Sequence, residues 1–147
     1  MVIRPATPSD MRFIITEGLS FMKHHPLSFN KDLDLKELIK FADNIMHNHV
    51  LLIAEDNGVQ VGMIAGILAP NVFNSKYIGL TELVWWVKEE FRNSSAAMKL
   101  FNAFEKKAKE MDADYISMIT TVYTPTLEKL YKKKNYKPTE TTYVKEL

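Results

Sequence analysis

Two stretches of this chain carry residue types that could do chemistry. The first is Arg92-Asn93-Ser94-Ser95-Ala96-Ala97, which follows the apolar run Leu83-Val84-Trp85-Trp86-Val87 and opens a strongly helical pattern. A strand, a short polar turn and a helix beginning with small residues make an anion cradle. The first N–H groups of a helix lack intrahelical partners, and the helix dipole favours negative charge there. Small side chains let phosphate oxygens reach the backbone, so a phosphate-bearing ligand is expected. The second is Glu82, an acid inside the otherwise apolar strand Leu80 to Val87. An unpaired buried carboxylate is costly, so Glu82 should line a cleft or pair, and partial burial would raise its pKa. Strand alternation puts Glu82, Val84 and Trp86 on one face and Leu83, Trp85 and Val87 on the other. The alternative for Glu82 is an edge or ion-paired position.

The elements that must hold these residues follow from periodicity and turn signals. Val2-Ile3 reads as a first strand. Thr7-Pro8-Ser9-Asp10 caps a helix continued by Met11, Ile14, Ile15 and Leu19. His24-His25-Pro26 lies in a loop, and Asp34 with Glu37 starts a second helix ending near Asn48. Val50 to Ala54 and Val59 to Leu68 flank Asn57-Gly58, the preferred pair for a tight hairpin turn. After a loop from Pro70 to Ser75, Tyr77 to Val87 reads as a long strand. Ser94 to Met111 carries a clear apolar stripe of Ala97, Leu100, Phe101, Phe104 and Ala108. Tyr115 to Thr120 is a strand, and Thr124-Pro125 caps a last helix carrying Leu127, Leu130 and Tyr131. Asn135 suits a left-handed residue past its end. Tyr143 to Glu146 is expected as a terminal strand. The order β-α-α-β-β-β-α-β-α-β predicts a mixed α/β sheet that is not doubly wound.

Composition narrows the function classes. The 147 residues suit one domain spanning 1–147. Nineteen basic and 18 acidic residues give a net charge of +1, which offers no electrostatic case for nucleic acid or an anionic membrane as partner. The absence of cysteine excludes disulfides and thiolate catalysis and fits a cytoplasmic setting. No stretch approaches the roughly 20 apolar residues of a membrane span, and the N-terminus lacks a signal-peptide pattern. His47 and His49 have no third residue at metal-ligand spacing, so no metal is expected; they read as a helix end.

The element order and the placement of the anion turn resemble the GNAT superfamily of acetyltransferases, whose signature is Arg/Gln-x-x-Gly-x-Gly/Ala. Arg92 and Ala97 fit that signature, and Ser95 stands in place of its glycine. A second family pattern, Asn-x-x-Ala-x-x-x-Tyr-x-x-x-Gly-Phe, places Tyr131 in register, with Thr124, Asn135 and Tyr136 replacing asparagine, glycine and phenylalanine. The Glu82 to Val87 segment beside the loop Pro70 to Asn74 also looks like the small members found in phage genomes.

The resemblance implies an N-acetyltransferase that moves an acetyl group from acetyl-coenzyme A to a primary amine by direct attack, with no acyl-enzyme. It implies that Arg92 and the backbone from Asn93 to Ala97 meet the pyrophosphate, with Thr124 a further contact. The Val87 backbone N–H would polarise the thioester carbonyl. Tyr131 would be the general acid for the departing thiolate and Glu82 the base. The structural alternatives are a solvated arginine, a plain helix start, a core strand residue at Val87 and a core tyrosine. Trp85 and Trp86 could wall the cleft, and His24 and His25 either shape the acceptor site or are solvated. Lys132-Lys133-Lys134 ends a helix or meets the 3′-phosphate. The acceptor is a small-molecule or protein amine, and a homodimer is compatible with the family. A catalytically weak coenzyme A sensor or protein-binding module is the competing reading, motivated by Ser95, Thr124 and Asn135.

Overall fold

The computed structural model describes residues 1–27, 32–120 and 124–147. β1 (Val2–Pro5) leads through a single 3-10 turn (Pro8–Asp10) into α1 (Met11–Lys23), then α2 (Leu35–Asn48), β2 (Val50–Asp56), β3 (Val59–Pro70) and β4 (Ile78–Val87). A second 3-10 turn (Glu89–Phe91) precedes α3 (Ala96–Glu110), β5 (Tyr115–Ser117) and α4 (Pro125–Lys133). The five strands lie in chain order, antiparallel throughout except for the parallel β4–β5 pair.

The local signals act as expected. Asn57 and Gly58 both take positive φ, 49° and 81°, which turns β2 directly into β3. The Asp34 carboxylate accepts from the Lys36 and Glu37 N–H groups and caps α2. The Thr7 N–H donates to Asp10 at 2.8 Å, so the acid three residues past the cap closes the first turn.

β2 is buried on both faces, which explains its unbroken apolar run. Val50 and Leu52 join Ile64, Leu80, Val87, Leu100 and Phe104 in the core under α3. Leu51 and Ile53 join Ile14, Ala42, Ile45 and Met63 in the core under α1 and α2. The sheet is therefore covered by helices on both sides, and β4 must serve both cores.

Two expectations are corrected. Residues 143–146 form no strand: from Lys137 the chain runs exposed to Leu147, with Tyr143 92% accessible. β5 is only three residues long, so its outer edge offers little ladder for a terminal strand. The second correction concerns β4. Ala65 pairs with Val84, but Gly66 pairs with Glu82, so Leu83 is an extra residue in β4. This bulge resets the alternation. Trp85 joins the α3 side while Leu83, Val84 and Trp86 pack toward α1 and α2. Glu82, opposite Gly66, shares the α3 side rather than the side of Val84 and Trp86. Gly66 is needed there, because a Cβ would lie 2.5 Å from Phe104 Cζ. Smaller shifts are that β4 starts at Ile78 and α3 at Ala96.

No helix among the described residues is long and apolar enough to cross a membrane.

Candidate active site

β4 is a ten-residue strand with two unlike halves. Its first part pairs with β5 from Gly79–Tyr115 to Thr81–Ser117, and there the pairing stops. From Glu82 to Val87 the β5-side edge of β4 pairs with no strand among the described residues, and a cleft of about 510 Å³ opens between the diverging chains. The bulge at Leu83 coincides with the start of this splay.

Backbone direction along β4 follows from one hydrogen bond. The Lys88 N–H donates to the Val61 carbonyl on β3. The Val87 amide group, one residue earlier, therefore faces the opposite edge, toward the cleft. Consistent with that direction, the Val87 carbonyl accepts from Arg92 Nε at 3.2 Å.

Glu82 sits at the root of the cleft and is 5% exposed. Its Oε2 accepts a single hydrogen bond among the described residues, from the Ile119 N–H at 3.1 Å. Burial pushes the carboxyl up to about 7, and that one hydrogen bond offsets only part of the effect. Glu82 is thus poised to gain or lose a proton near neutrality.

Tyr131 reaches the same cleft from α4. Its place is set by the helix end. Asn135 takes φ 65°, the Asn135 N–H donates to the Lys132 carbonyl at 3.1 Å, and the Tyr136 N–H donates to the Tyr131 carbonyl at 2.8 Å. This is a Schellman cap, with the Tyr131 and Tyr136 rings in the accompanying contact at 5.7 Å. Phe101 of α3 stacks on Tyr131 at 6.3 Å and lies 5.4 Å from Trp85. Burial and then the Glu82 charge hold the Tyr131 phenol above its usual range, so it stays protonated. Its Oη is buried yet makes no hydrogen bond to any described residue, and Trp85 Nε1 on the same cleft is in the same state. Buried polar atoms without partners are rare in folded proteins.

The turn after β4 divides the expected cradle. Arg92 and Ala97 line the cleft, as do Glu82, Val87, Thr124 and Tyr131. Asn93 is exposed in the turn, and Ala96 is fully buried in the core. Ser94 Oγ donates to the Phe91 carbonyl at 2.6 Å and accepts from the Ala96 N–H at 3.1 Å. Ser95 Oγ lies 4.0 Å from Met1 Sδ. Ser95 takes φ −76°, a conformation open to any residue, so the serine costs no backbone strain where glycine is usual. Ala97 and Met98, in the first turn of α3, have N–H groups without intrahelical partners.

Trp86 forms the other wall, and it was only half legible. Its Nε1–H donates to Glu17 Oε2 at 2.8 Å, Phe21 meets it edge-on at 6.1 Å, and His24 packs at 5.1 Å. The Arg92 guanidinium lies 4.7 Å above the ring. Glu17, Phe21 and His24 fall at i, i+4 and i+7 on one face of α1 and its end, a spacing that could have revealed them. His24 and His25 both line the cleft. Away from it, His49 Nδ1 accepts from the Leu68 N–H, and Lys134 pairs with Glu105 at 3.2 Å. The latter ties the end of α4 to α3.

The Acetyltransferase (GNAT) family model matches residues 19–136. No curated protein matches the chain. Among solved structures, a transcriptional regulator from Bacillus halodurans C-125 superposes with a TM-score of 0.75 at 18% identity over 99% of both chains. A predicted acetyltransferase from Clostridium acetobutylicum, solved with acetyl-CoA, gives a TM-score of 0.72 at 19% identity, covering 99% of this chain and 95% of that one. The aminoglycoside N-acetyltransferase AAC(6′)-Iy in complex with CoA gives 0.72 at 15% identity, covering 99% and 93%. These structural likenesses carry the fold, and the family model covers most of the sequence. The chain belongs to the GNAT acetyltransferase family.

Proposed function

We propose that this protein is an acetyl-coenzyme A-dependent N-acetyltransferase acting on a primary amine. The observation that carries the reading is the pairing of Tyr131 and Glu82 on one cleft, one a buried phenol without a hydrogen-bond partner among the described residues and the other a carboxyl near its midpoint at neutral pH. Acetyl-coenzyme A, when bound, supplies an activated acyl carbon and a thiolate leaving group.

The chain's residues divide the remaining work. The Val87 N–H, directed at the cleft, is placed to polarise an acyl oxygen. Glu82 takes the proton that the attacking amine must shed, directly or through one water. Tyr131 Oη gives a proton to the leaving sulfur. The first-turn N–H groups of α3 and Arg92 form the anion-facing side of the cleft. Arg92 also braces Val87 and Trp86, so part of its contribution is to hold the end of β4 in place. Thr124 lines the cleft from the cap of α4.

The ordinary φ of Ser95 and the left-handed Asn135 both speak for the transferase over a weak sensor, because two of the departures from the family pattern are accommodated without strain. Kinship with small phage-encoded members rests on the Glu82 to Val87 segment beside the loop Pro70 to Asn74, and the comparisons do not support it; the solved relatives named with an organism are bacterial.

Calorimetric titration with acetyl-coenzyme A, followed by thiol release across a panel of amines, tests the proposal. Saturable binding and amine-dependent thiol release are expected. Absence of binding at millimolar acetyl-coenzyme A would overturn it.

A further inference from the structure

The two walls of the cleft differ in what they offer. One carries the α3 turn and α4. The other, built by the end of α1 and the outer part of β4, presents Phe21, His24, His25, Leu83 and Trp86. That wall is mostly aromatic, with the Phe21 and His24 rings set at angles to Trp86, and these five residues include no acid. Glu17, on the same helix, accepts from Trp86 Nε1. Glu82 is the one carboxylate among the described lining residues, and Arg92 and two histidines stand with it. The sequence adds no others nearby: no acid follows His25 before Asp32, and none follows Ile119 before Glu128.

A polycation is recognised by several carboxylates spaced along its length, because each ammonium removed from water needs a partner. One acid cannot do this, and the Arg92 guanidinium opposes it. A flat apolar body is well matched, since rings stack offset or edge-on against Trp and Phe. The cleft, at about 510 Å³, must also admit the acyl end of the donor, which favours a small acceptor.

We infer that the acceptor is a small primary amine with one positive charge and an aromatic or flat apolar body, seated against Trp86 and Phe21, and not a polyamine or aminoglycoside. This rests on the acetyl-transfer reading above. In the transfer the amine nitrogen bonds to the acyl carbon as the carbon–sulfur bond breaks. The acceptor, bound as an ammonium, first gives one proton to water so that its nitrogen can attack; the second proton then leaves to Glu82, the sulfur gains one from Tyr131, and the proton on Glu82 returns to Tyr131 through water.

The test compares 2-phenylethylamine, butylamine, spermidine and kanamycin as acceptors, with acetyl-coenzyme A binding measured in parallel by calorimetry. The expected result is a kcat/KM for 2-phenylethylamine at least about 10-fold above spermidine and kanamycin. Trp86→Leu should raise the KM for 2-phenylethylamine several-fold more than that for butylamine. Equal or better use of spermidine or kanamycin overturns the inference. So does a protein that binds acetyl-coenzyme A yet acetylates none of the amines, an outcome that leaves the donor reading standing. If acetyl-coenzyme A does not bind, the donor reading falls, and tryptophan fluorescence judges the acceptor wall separately. Quenching by 2-phenylethylamine but not spermidine supports it, and no quenching by either overturns it.

Discussion

Asp10 and Glu82 are both buried carboxylates, 0% and 5% exposed, yet they are in opposite states. Asp10 accepts from both terminal nitrogens of Arg4 at 2.7 and 2.8 Å, from the Thr7 N–H and hydroxyl, and from Gln60 Nε2. The hydrogen-bonded Arg4 guanidinium, above all, holds it well below the usual carboxylate range. Glu82 has the Ile119 N–H, and burial drives it up to about 7. Burial is common to both, so the neighbours decide. Asp10 is built to stay charged and to join β1, the first turn and β3. Glu82 is built to titrate.

The comparison breaks most visibly at Asp10. Asp10→Ala leaves Arg4 with Glu55 as its one carboxylate partner among the described residues and should cost about 3 kcal/mol of stability, read as a lower urea midpoint. The folded fraction should keep its turnover, which would separate a structural carboxylate from a catalytic one. Because the folded pKa of Asp10 is depressed, its contribution is full above about pH 4 and fades as pH falls below that. Tyr131→Phe should slow the chemical step by roughly 10- to 100-fold while acetyl-coenzyme A affinity stays nearly constant. An unchanged chemical step in single-turnover kinetics would remove the general-acid role.

Glu82 predicts a pH dependence of stability opposite to that of Asp10. Its folded pKa is raised, so the folded state keeps a proton that the unfolded chain releases, and stability declines from about pH 4 to about pH 7. Glu82→Gln removes that decline and should stabilise the protein at pH 8 by about 1–2 kcal/mol in urea titrations. A destabilised glutamine variant would mean that the carboxylate is paired after all. The smallest effect is expected at Ser95→Gly. Since Ser95 already takes φ −76°, donor affinity should change by less than about twofold.

The sequence resolved the elements that are governed locally. Asn57-Gly58 and the left-handed Asn135 act through their own backbone, and Asp34 caps α2 through its carboxylate a few residues away, so their types suffice. Tyr131 was readable through the family pattern that puts it in register, while the Schellman cap that aims it is encoded within six residues. What was missed depends on strand pairing. The Leu83 bulge exists only in the register of β4 against β3, and without it alternation assigns Glu82 to the wrong face. The unpaired end of β4 depends on where β5 stops. The expected terminal strand failed for a related reason, because Tyr143 and Val144 have a strand-like pattern but only a three-residue edge to join. The Glu17–Trp86 contact joins residues 69 apart and left only a helical spacing as a trace.

The pH dependence of kcat/KM for acetyl transfer, measured for the native chain and for Glu82→Gln, tests the central claim most directly. The account predicts a rise through an inflection near pH 7 in the native enzyme, and a glutamine variant slower by about 100-fold or more without that inflection. A Glu82→Gln enzyme with native turnover and the same inflection would contradict it.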